Sequence, residues 1–361
     1  MAEFEITAII HGQNRFSAVA FSQDGMLLAA ASGDQIFLND ATSGHLFCTL
    51  DGHDDQITVL AFSKSCRDEI ILASGSKDCC CLFWNIRSEL DQSFDPPKVI
   101  PHCFTYLKIS ENRQPIVSLE FCFSDRYVAT ASMDGAIGFV STGDVASARN
   151  SRFNPTRNRI LTGREICSIG LSPDDIHVIA GYSTGRVEIF QTKTGDLVMA
   201  HRRHQMQVSS ICYSPDGTFL ASGSWDRTVK LSPTIQLAET RVLTLDAAVF
   251  SVVFSPLNHI LACGLGVPAN SILLWDWRNG ARARLLAFQP APHGIAFSPD
   301  GAMLACAVHG NRVAVHDLSR SRVALALAMA LHPRLGGCSG LSAMEPALVR
   351  MIARYLCELS S

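Results

Sequence analysis

The chain has 361 residues and a formal net charge of -3, with 30 lysines and arginines against 33 aspartates and glutamates. This balance, without a long basic run, argues against a dedicated nucleic-acid surface. Residues 1–5 lack the basic and apolar regions of a secretory signal, and no apolar run has the length of a membrane-spanning helix. We therefore expect a cytoplasmic and/or nuclear protein without a transmembrane segment, whose 13 cysteines are reduced thiols.

An aromatic residue or leucine is followed by serine seven times along the chain: Phe21-Ser22, Phe62-Ser63, Phe123-Ser124, Leu171-Ser172, Tyr213-Ser214, Phe254-Ser255 and Phe297-Ser298. Five of the six intervals between these pairs lie between 41 and 48 residues. A period of about 40 residues is typical of arrays whose units bury their apolar faces against one another. The pattern predicts a repeat protein with its function on the surface of the array.

Each repeat contains the signals of four short strands. An apolar segment at 46–50 ends the first repeat, and the second contains an alternating run at 57–62, a small-residue run at 72–76 and a third run at 82–84. Polar turns separate these runs, and a tight turn around Asp78 precedes the last one. Alternation with a period of two, interrupted by turn residues, predicts a four-stranded antiparallel unit.

These residues resemble the WD40 repeat family. The second repeat carries the family's Gly52-His53, Ser74, Asp78 and Trp84, whereas the fifth keeps His204, Ser222 and Asp226 but has Ser232 in place of the tryptophan. In that family these histidine, serine, aspartate and tryptophan side chains form a hydrogen-bonded chain across each blade. The resemblance covers about nine tenths of the chain, and it implies an all-β, seven-bladed propeller.

We expect the propeller to occupy residues 1–320, followed by a short α-helical C-terminal extension at 321–361. Residues 4–10 are predicted to complete the last blade, because this arrangement removes both chain ends from edge pairing. A strand at 323–327 is the alternative for that position. The predicted repeats span about 11–50, 51–103, 111–161, 162–204, 205–245, 246–287 and 288–320.

The sequence predicts no catalytic residues, no cofactor and no metal site, and hence no enzyme. Cys79, Cys80 and Cys81 are consecutive, and adjacent strand residues point to opposite faces, so they cannot converge on one metal ion. No nucleophile motif or glycine-rich phosphate loop is present in the sequence.

The tight turns of the repeats are expected to carry the partner-binding residues. WD40 proteins commonly hold other proteins on this face, and Trp225 stands out because exposed tryptophans dominate interface energetics. Its alternative role is to lie flat on a neighbouring blade. The predicted partner-binding residues are Lys77, Met133, Tyr182, Trp225, Arg227 and His309. The function expected from them is that of a protein–protein interaction scaffold.

Two features suggest an alternative function in a cullin–RING ubiquitin ligase. The run Trp275-Asp276-Trp277-Arg278, and less fully the end of the earlier repeat at Arg87, resembles the motif by which WD40 substrate receptors contact a ligase adaptor. Residues 345–358 place one apolar stripe on a predicted helix, similar to helices of F-box and SOCS-box segments: Leu348, Met351, Ile352, Tyr355 and Leu356. The other interpretation of this helix is that it packs back on the propeller.

A second alternative is a phosphoinositide-binding propeller. Arg202 and Arg203 form an arginine pair near the position of a phosphate-binding motif found in such propellers. The apolar residue before that pair and the glycine after it are both absent here.

Overall fold

The computed structural model of the chain describes residues 6–12, 14–64, 70–91, 98–109, 114–143, 159–234, 240–257, 259–278, 280, 282–284, 292–308 and 311–318. Within these residues, 28 strands form seven four-stranded antiparallel sheets. The innermost strand of each sheet packs against the innermost strands of its two neighbours, and this packing closes the ring. The predicted all-β, seven-bladed propeller is confirmed.

Within each blade, the strands follow one another from the axis outwards. Blade 1 contains β2 Phe16–Phe21, β3 Leu27–Ser32, β4 Gln35–Asp40 and β5 Leu46–Asp51; blade 2 contains β6 Ile57–Phe62, β7 Ile70–Ser76, β8 Cys81–Asp91 and β9 Lys98–Ile109; blade 3 contains β10 Ile116–Phe121, β11 Tyr127–Ser132, β12 Ala136–Ser141 and β13 Arg159–Leu161; blade 4 contains β14 Ile166–Leu171, β15 His177–Tyr182, β16 Arg186–Gln191 and β17 Leu197–Arg202.

The remaining blades follow the same plan. Blade 5 contains β18 Val208–Tyr213, β19 Phe219–Ser224, β20 Thr228–Pro233 and β21 Arg241–Thr244; blade 6 contains β22 Val249–Phe254, β23 Ile260–Leu265, β24 Ser271–Asp276 and β25 Arg282–Arg284; blade 7 contains β26 Pro292–Phe297, β27 Met303–Val308, β28 Arg312–Asp317 and, outermost, β1 Ile6–His11.

The second strand of each blade is the most deeply buried. In β3, whose sequence is LLAAAS, all six residues are buried, whereas the outermost strand β17 is largely exposed. Both faces of an inner strand contact neighbouring sheets, and small side chains allow those sheets to approach closely. The core is therefore a series of layers between blades.

The N-terminal segment provides the fourth strand of blade 7. β1 pairs antiparallel with β28, with Ile9 opposite Ala314 and Ile10 opposite Val313. The pairing joins the first and last strands of the described chain, so β28 has no open edge. The alternative strand at 323–327 and the predicted helical extension at 321–361 lie outside the described residues.

The repeat marker in blade 3 is Phe121-Cys122, and our alignment on Phe123-Ser124 was wrong by two residues. β10 ends at Phe121. The Cys122 thiol then accepts hydrogen bonds from the amides of Arg126 (3.1 Å) and Tyr127 (3.3 Å). Ser172 does the same in blade 4 through its hydroxyl. The thiol takes the structural position of the serine, and this leaves Phe123 on the following turn.

The propeller has two faces that we call top and bottom. The top face carries the loops that enter each innermost strand, such as 203–207, and the tight turns between second and third strands, such as 225–227. The bottom face carries the turns between first and second strands, such as 22–26 and 214–218. Connections on one face are far from those on the other, because each strand crosses the full height of the blade.

Two aspartates on the bottom face link neighbouring blades. Asp125 and Asp175 have φ angles of 53° and 60°, at positions where blades 1, 5 and 7 have glycine. The Asp175 carboxylate accepts hydrogen bonds from the amides of Phe123 (2.6 Å) and Ser124 (3.0 Å), and Asp125 accepts one from the Lys64 amide (2.7 Å). These inter-blade bonds offset the backbone strain that a non-glycine residue has at positive φ.

Candidate partner-binding surface

A chain of hydrogen bonds crosses blade 2 from the top face to the core. Asp78 Oδ2 lies 2.8 Å from His53 Nδ1, and His53 Nε2 lies 2.8 Å from Ser74 Oγ. The Trp84 indole N–H donates to the same Ser74 oxygen at 3.0 Å. Because a carboxylate only accepts, the Nδ1–H of His53 donates to Asp78. Every polar group in this chain of hydrogen bonds is thereby satisfied.

Blade 5 has the same chain without the tryptophan. His204 Nε2 lies 2.9 Å from Ser222 Oγ, and His204 Nδ1 lies 3.0 Å from Asp226 Oδ2. Ser232 on β20 pairs with Leu220 on β19, as Trp84 on β8 pairs with Leu72 on β7 in blade 2. Ser232 is therefore at the position of the tryptophan. The buried Arg203 donates from Nη2 to Ser232 Oγ at 2.7 Å. The guanidinium therefore occupies the place of the missing indole.

The charged forms of the turn aspartates, Asp78 and Asp226, hold the top-face turns in place. Burial acts to raise the pKa of Asp78, but hydrogen bonds from the Asp54 amide and from His53 outweigh it, and the pKa lies below its usual value. The same balance lowers the pKa of Asp226, whose hydrogen-bond donors are Thr228, the Gln205 amide and His204. Both carboxylates are ionised at neutral pH and fix the turns around them.

The buried His204 should make the stability of the fold depend on pH. Burial lowers its pKa from 6.5 to about 4, with nearby Lys230 and Arg203 adding to the effect and Asp226 opposing it. Below pH 6.5 the unfolded chain binds a proton that the folded chain does not, so the unfolding free energy should fall as the pH falls towards 4. The slope from this group is at most about 1.4 kcal/mol per pH unit.

Urea denaturation of the wild type and of His204→Asn at about pH 7 and about pH 5 tests this expectation. The variant should be less stable at the higher pH, but its stability should fall less between the two values. Equal losses in both proteins would contradict the assignment of a buried, neutral His204.

Tyr182 does not lie on the partner face, contrary to our expectation from the sequence. It is fully buried, and its hydroxyl donates to Glu188 Oε2 at 2.8 Å. Glu188 also accepts from Arg164 Nη1 (3.2 Å) and Arg186 Nε (2.6 Å). Tyr182 occupies the last position of a second strand, which is serine in blades 1, 2, 3 and 5. The large side chain at this position is directed into the blade, where Glu188 accepts the hydrogen bond from its hydroxyl.

Trp225 is the centre of an apolar area that spans the tops of blades 5 and 6. Its side chain is 43% exposed, and its ring packs edge to face against Phe250 with centroids 6.3 Å apart. Met206 is 50% exposed and is tied to the same turn, because its carbonyl accepts from Ser224 Oγ. Val267, 74% exposed, follows Gly266, against which the Phe250 ring lies. We call Met206, Trp225, Phe250 and Val267, with the adjacent exposed Arg227, the Trp225 surface.

The other predicted partner-binding residues are not part of this surface. Lys77 and Met133 are exposed on the same face, but they belong to blades 2 and 3. His309 lies outside the described residues. The structure thus groups Trp225 and Arg227 and leaves Lys77 and Met133 on separate blades.

Three members of the Trp225 surface were not predicted from the sequence. Phe250 sits at an irregularity in the pairing of β22 with β23, between Val249 and Ser251. Every innermost strand has such a shift in register, and Ser17, Thr58 and Ser209 occupy it in blades 1, 2 and 5. Blades 3, 4 and 7 have Val117, Cys167 and His293 at this position, so a residue as large and apolar as phenylalanine there is the signal that could have identified Phe250.

Among the described residues, those predicted for the ubiquitin-ligase and phosphoinositide alternatives do not form one site. Trp275 is buried in blade 6, Asp276 Oδ1 accepts from the Arg278 amide at 3.0 Å, and Arg278 is exposed with its guanidinium 5.5 Å from the Trp277 ring centroid. Nothing is described of the Arg87 side chain, and Leu348, Ile352, Tyr355 and Leu356 lie outside the described residues. Arg202 is exposed, but Arg203 is buried in blade 5, so the two arginines cannot form a joint phosphate site.

Cys81, Cys122, Cys212, Cys263 and Cys306 are free thiols. Burial raises the pKa of Cys81, and it raises that of Cys263 to about 12, so these thiols are unreactive at neutral pH. Within the described ranges, no three histidine, cysteine or acidic side chains converge as metal ligands. The part of the chain that the structure covers contains no helix long and apolar enough to cross a membrane.

Two segments of the chain match a known family model. The model, described as WD domain, G-beta repeat, matches residues 44–85 and 195–231. These segments contain the histidine, serine and aspartate of the hydrogen-bonded chains in blades 2 and 5. The two repeats that contain these hydrogen-bonded residues are therefore the ones that the family model detects.

Curated relatives cover most of the propeller at low identity. Eukaryotic translation initiation factor 3 subunit I of Aspergillus terreus is 24% identical over 281 residues, which cover 75% of this chain and 78% of the relative. The same subunit of Aspergillus niger is 23% identical over 280 residues, with the same coverage. WD repeat-containing protein 18 of Mus musculus is 27% identical over 227 residues, 58% of this chain and 48% of that protein.

Proposed function

Because the chain folds as a seven-bladed propeller built of WD40 repeats, we propose that it is a non-catalytic scaffold that binds another protein through the Trp225 surface. The observation that carries the proposal is the exposed Trp225 ring packed against Phe250. This contact fixes the orientation of the ring while leaving much of it in water. An aromatic ring that is already ordered loses little conformational entropy when a partner covers it.

The composition of the Trp225 surface suits a protein partner. Tryptophan, methionine, phenylalanine and arginine are enriched at protein interfaces, and a tryptophan anchor contributes about 2 kcal/mol or more to binding. The surface lies on tight turns held by the ionised Asp226, whose carboxylate accepts from the amides of Gln205 and Thr228. We therefore expect binding with little rearrangement of the propeller.

The relatives support a role within a larger assembly. The Aspergillus proteins are, by name, subunits of a multi-subunit initiation factor. We propose that this chain likewise acts as one subunit of a protein complex, in the cytoplasm. None of these relatives is named as a ubiquitin-ligase receptor, and no contact in the described structure favours that alternative, so we do not extend it.

Trp225→Ala should weaken partner binding by about 30-fold, which corresponds to about 2 kcal/mol. Partners would be captured from cells on the tagged full chain, identified, purified, and titrated against wild type and variant by calorimetry. Val242→Ala is the matched control, because Val242 is 53% exposed in the same blade but on its outermost strand.

The control should bind as the wild type does, and neither variant should lower the free energy of unfolding by more than about 1 kcal/mol. A partner set and affinity unchanged in Trp225→Ala would refute the proposed site. Equal weakening in both variants would show that binding uses the rim of blade 5 instead of the Trp225 surface.

A further inference from the structure

The bottom face exposes large apolar side chains on four of its turns. Met26, Phe123, Ile176 and Leu257 are 57%, 51%, 46% and 65% exposed, and each lies between the first and second strands of its blade. The bottom-face turns surround the propeller axis, so the exposure is distributed around one centre. A monomeric soluble protein rarely leaves a large apolar patch in contact with water.

A funnel opens at the centre of this face. Its volume is about 490 Å³, and it is lined mainly by apolar ends of innermost strands and by prolines of the bottom turns. The Tyr213 hydroxyl, on a funnel-lining residue, is buried and has no hydrogen-bond partner among the described residues. Lys64 pairs with Glu120 at 3.1 Å and lies 4.7 Å from the Phe123 ring centroid. This combination of apolar walls with few polar groups is typical of an occupied site.

The chain leaves the propeller on the same face. Leu318 follows β28, and its amide donates to the carbonyl of Ala302, in the bottom turn of blade 7, at 2.6 Å. Residues 319–344 then provide 26 residues before the predicted amphipathic segment begins. Even partly extended, a linker of this length spans tens of ångströms, whereas β28 is only two strand spacings of about 4.8 Å from the innermost strand. The C-terminal segment can therefore reach the funnel.

The bottom turns and residues 319–361 carry net charges of opposite sign. The bottom turns carry the aspartates Asp24, Asp125, Asp174, Asp175, Asp216 and Asp300. Burial acts to raise the pKa of Asp174 and Asp216, but hydrogen bonds from the neighbouring serine hydroxyls outweigh it and lower both values, so these groups are ionised at neutral pH. Residues 319–361 contain five arginines and two glutamates. The excess of positive charge comes from Arg320, Arg322 and Arg334 in residues 319–344, so attraction to the acidic bottom turns would act through the linker that precedes residues 345–358.

We propose that residues 345–358 of this chain dock on the bottom face and cover the funnel with the stripe Leu348, Met351, Ile352, Tyr355 and Leu356. Docking buries this stripe against the exposed residues of the bottom turns, and the phenol of Tyr355 or a backbone carbonyl of the segment provides an acceptor for the Tyr213 hydroxyl. The contact is on the face opposite the Trp225 surface, and it does not depend on the function proposed for that surface.

Hydrogen exchange measured by mass spectrometry on the full chain tests the docking. Peptides within 345–358 should exchange at least tenfold more slowly in the wild type than in Ile352→Asp, which places a charge on the stripe. Ala353→Asp introduces the same charge one residue later, away from the stripe on a helix, and should exchange as the wild type does. If wild type and Ile352→Asp exchange equally fast, the segment is not docked.

A second pair of variants tests the proposed receiving face. Leu257→Asp on the bottom turn of blade 6 should abolish the protection of 345–358, whereas Leu161→Asp, at an exposed residue on the outermost strand of blade 3, should preserve it. Protection that survives Leu257→Asp would place the segment elsewhere and refute the proposal. Protection that rises with protein concentration, with a doubled mass in light scattering, would assign the occupant to a second copy and would also refute it.

Discussion

Trp84→Ala should lower the free energy of unfolding by about 3–5 kcal/mol, the usual cost of removing a buried tryptophan. Trp84 is only 2% exposed and belongs to the apolar layer between blades 1 and 2. A Cβ atom on Gly52 would lie 3.0 Å from its Cη2 atom, which shows how closely the ring is packed. The variant would leave a cavity beside the buried Ser74 and His53.

Urea denaturation would measure the change, with Trp84→Phe separating the two contributions. The phenylalanine keeps much of the apolar volume but loses the hydrogen bond to Ser74, so its cost should be about 1–2 kcal/mol. Trp225→Ala is the matched control at an exposed tryptophan and should cost no more than about 1 kcal/mol. Similar losses for Trp84→Ala and Trp225→Ala would contradict the difference in burial on which both assignments depend.

Ser232→Trp and Arg203→Gly should compensate each other in blade 5. Alone, Ser232→Trp should destabilise the fold by about 1–3 kcal/mol, because Arg203 already fills the space that the indole needs. With Arg203→Gly, the pair becomes that of blade 2, where Gly52 leaves room for Trp84. The indole N–H could then donate to Ser222 as Trp84 donates to Ser74.

The double variant should be at least as stable as the wild type, since it also removes a buried guanidinium. Burial lowers the Arg203 pKa to about 10, and within the described residues its Nε and Nη1 atoms have no hydrogen-bond acceptor. A double-mutant cycle in urea should give a coupling free energy of about 2 kcal/mol or more between the two positions. Additive effects of the two substitutions would show that Arg203 does not replace the indole.

Local pattern was sufficient to predict the blades. The alternation in β6, the small residues of β7 and the turn at Asp78 lie within one repeat, and each acts through its immediate neighbours in sequence. The contacts among His53, Ser74 and Trp84 were expected from the resemblance to the WD40 family, and the structure shows them within one blade.

The candidate site could be predicted only in part. Trp225 was identified because it stands next to the turn aspartate, and its exposure agrees with that position. Phe250 belongs to the next blade, and nothing in the repeat of Trp225 indicates that the two rings meet. Tyr182 was misplaced because its position in the sequence is near a turn, whereas its side chain is directed into the blade towards Glu188.

By itself, the sequence determined the all-β array and the order of the strands within a repeat, because these follow from periodicity and turn chemistry over about 40 residues. The tertiary structure alone decided the exchange of the Trp84 indole for the Arg203 guanidinium, the marker Phe121-Cys122 in blade 3, and the pairing of Trp225 with Phe250. Each of these depends on the volume or the donor atoms of a side chain brought close by folding. Compensation of this kind leaves the local hydrophobic pattern unchanged, and so it cannot be detected from the pattern.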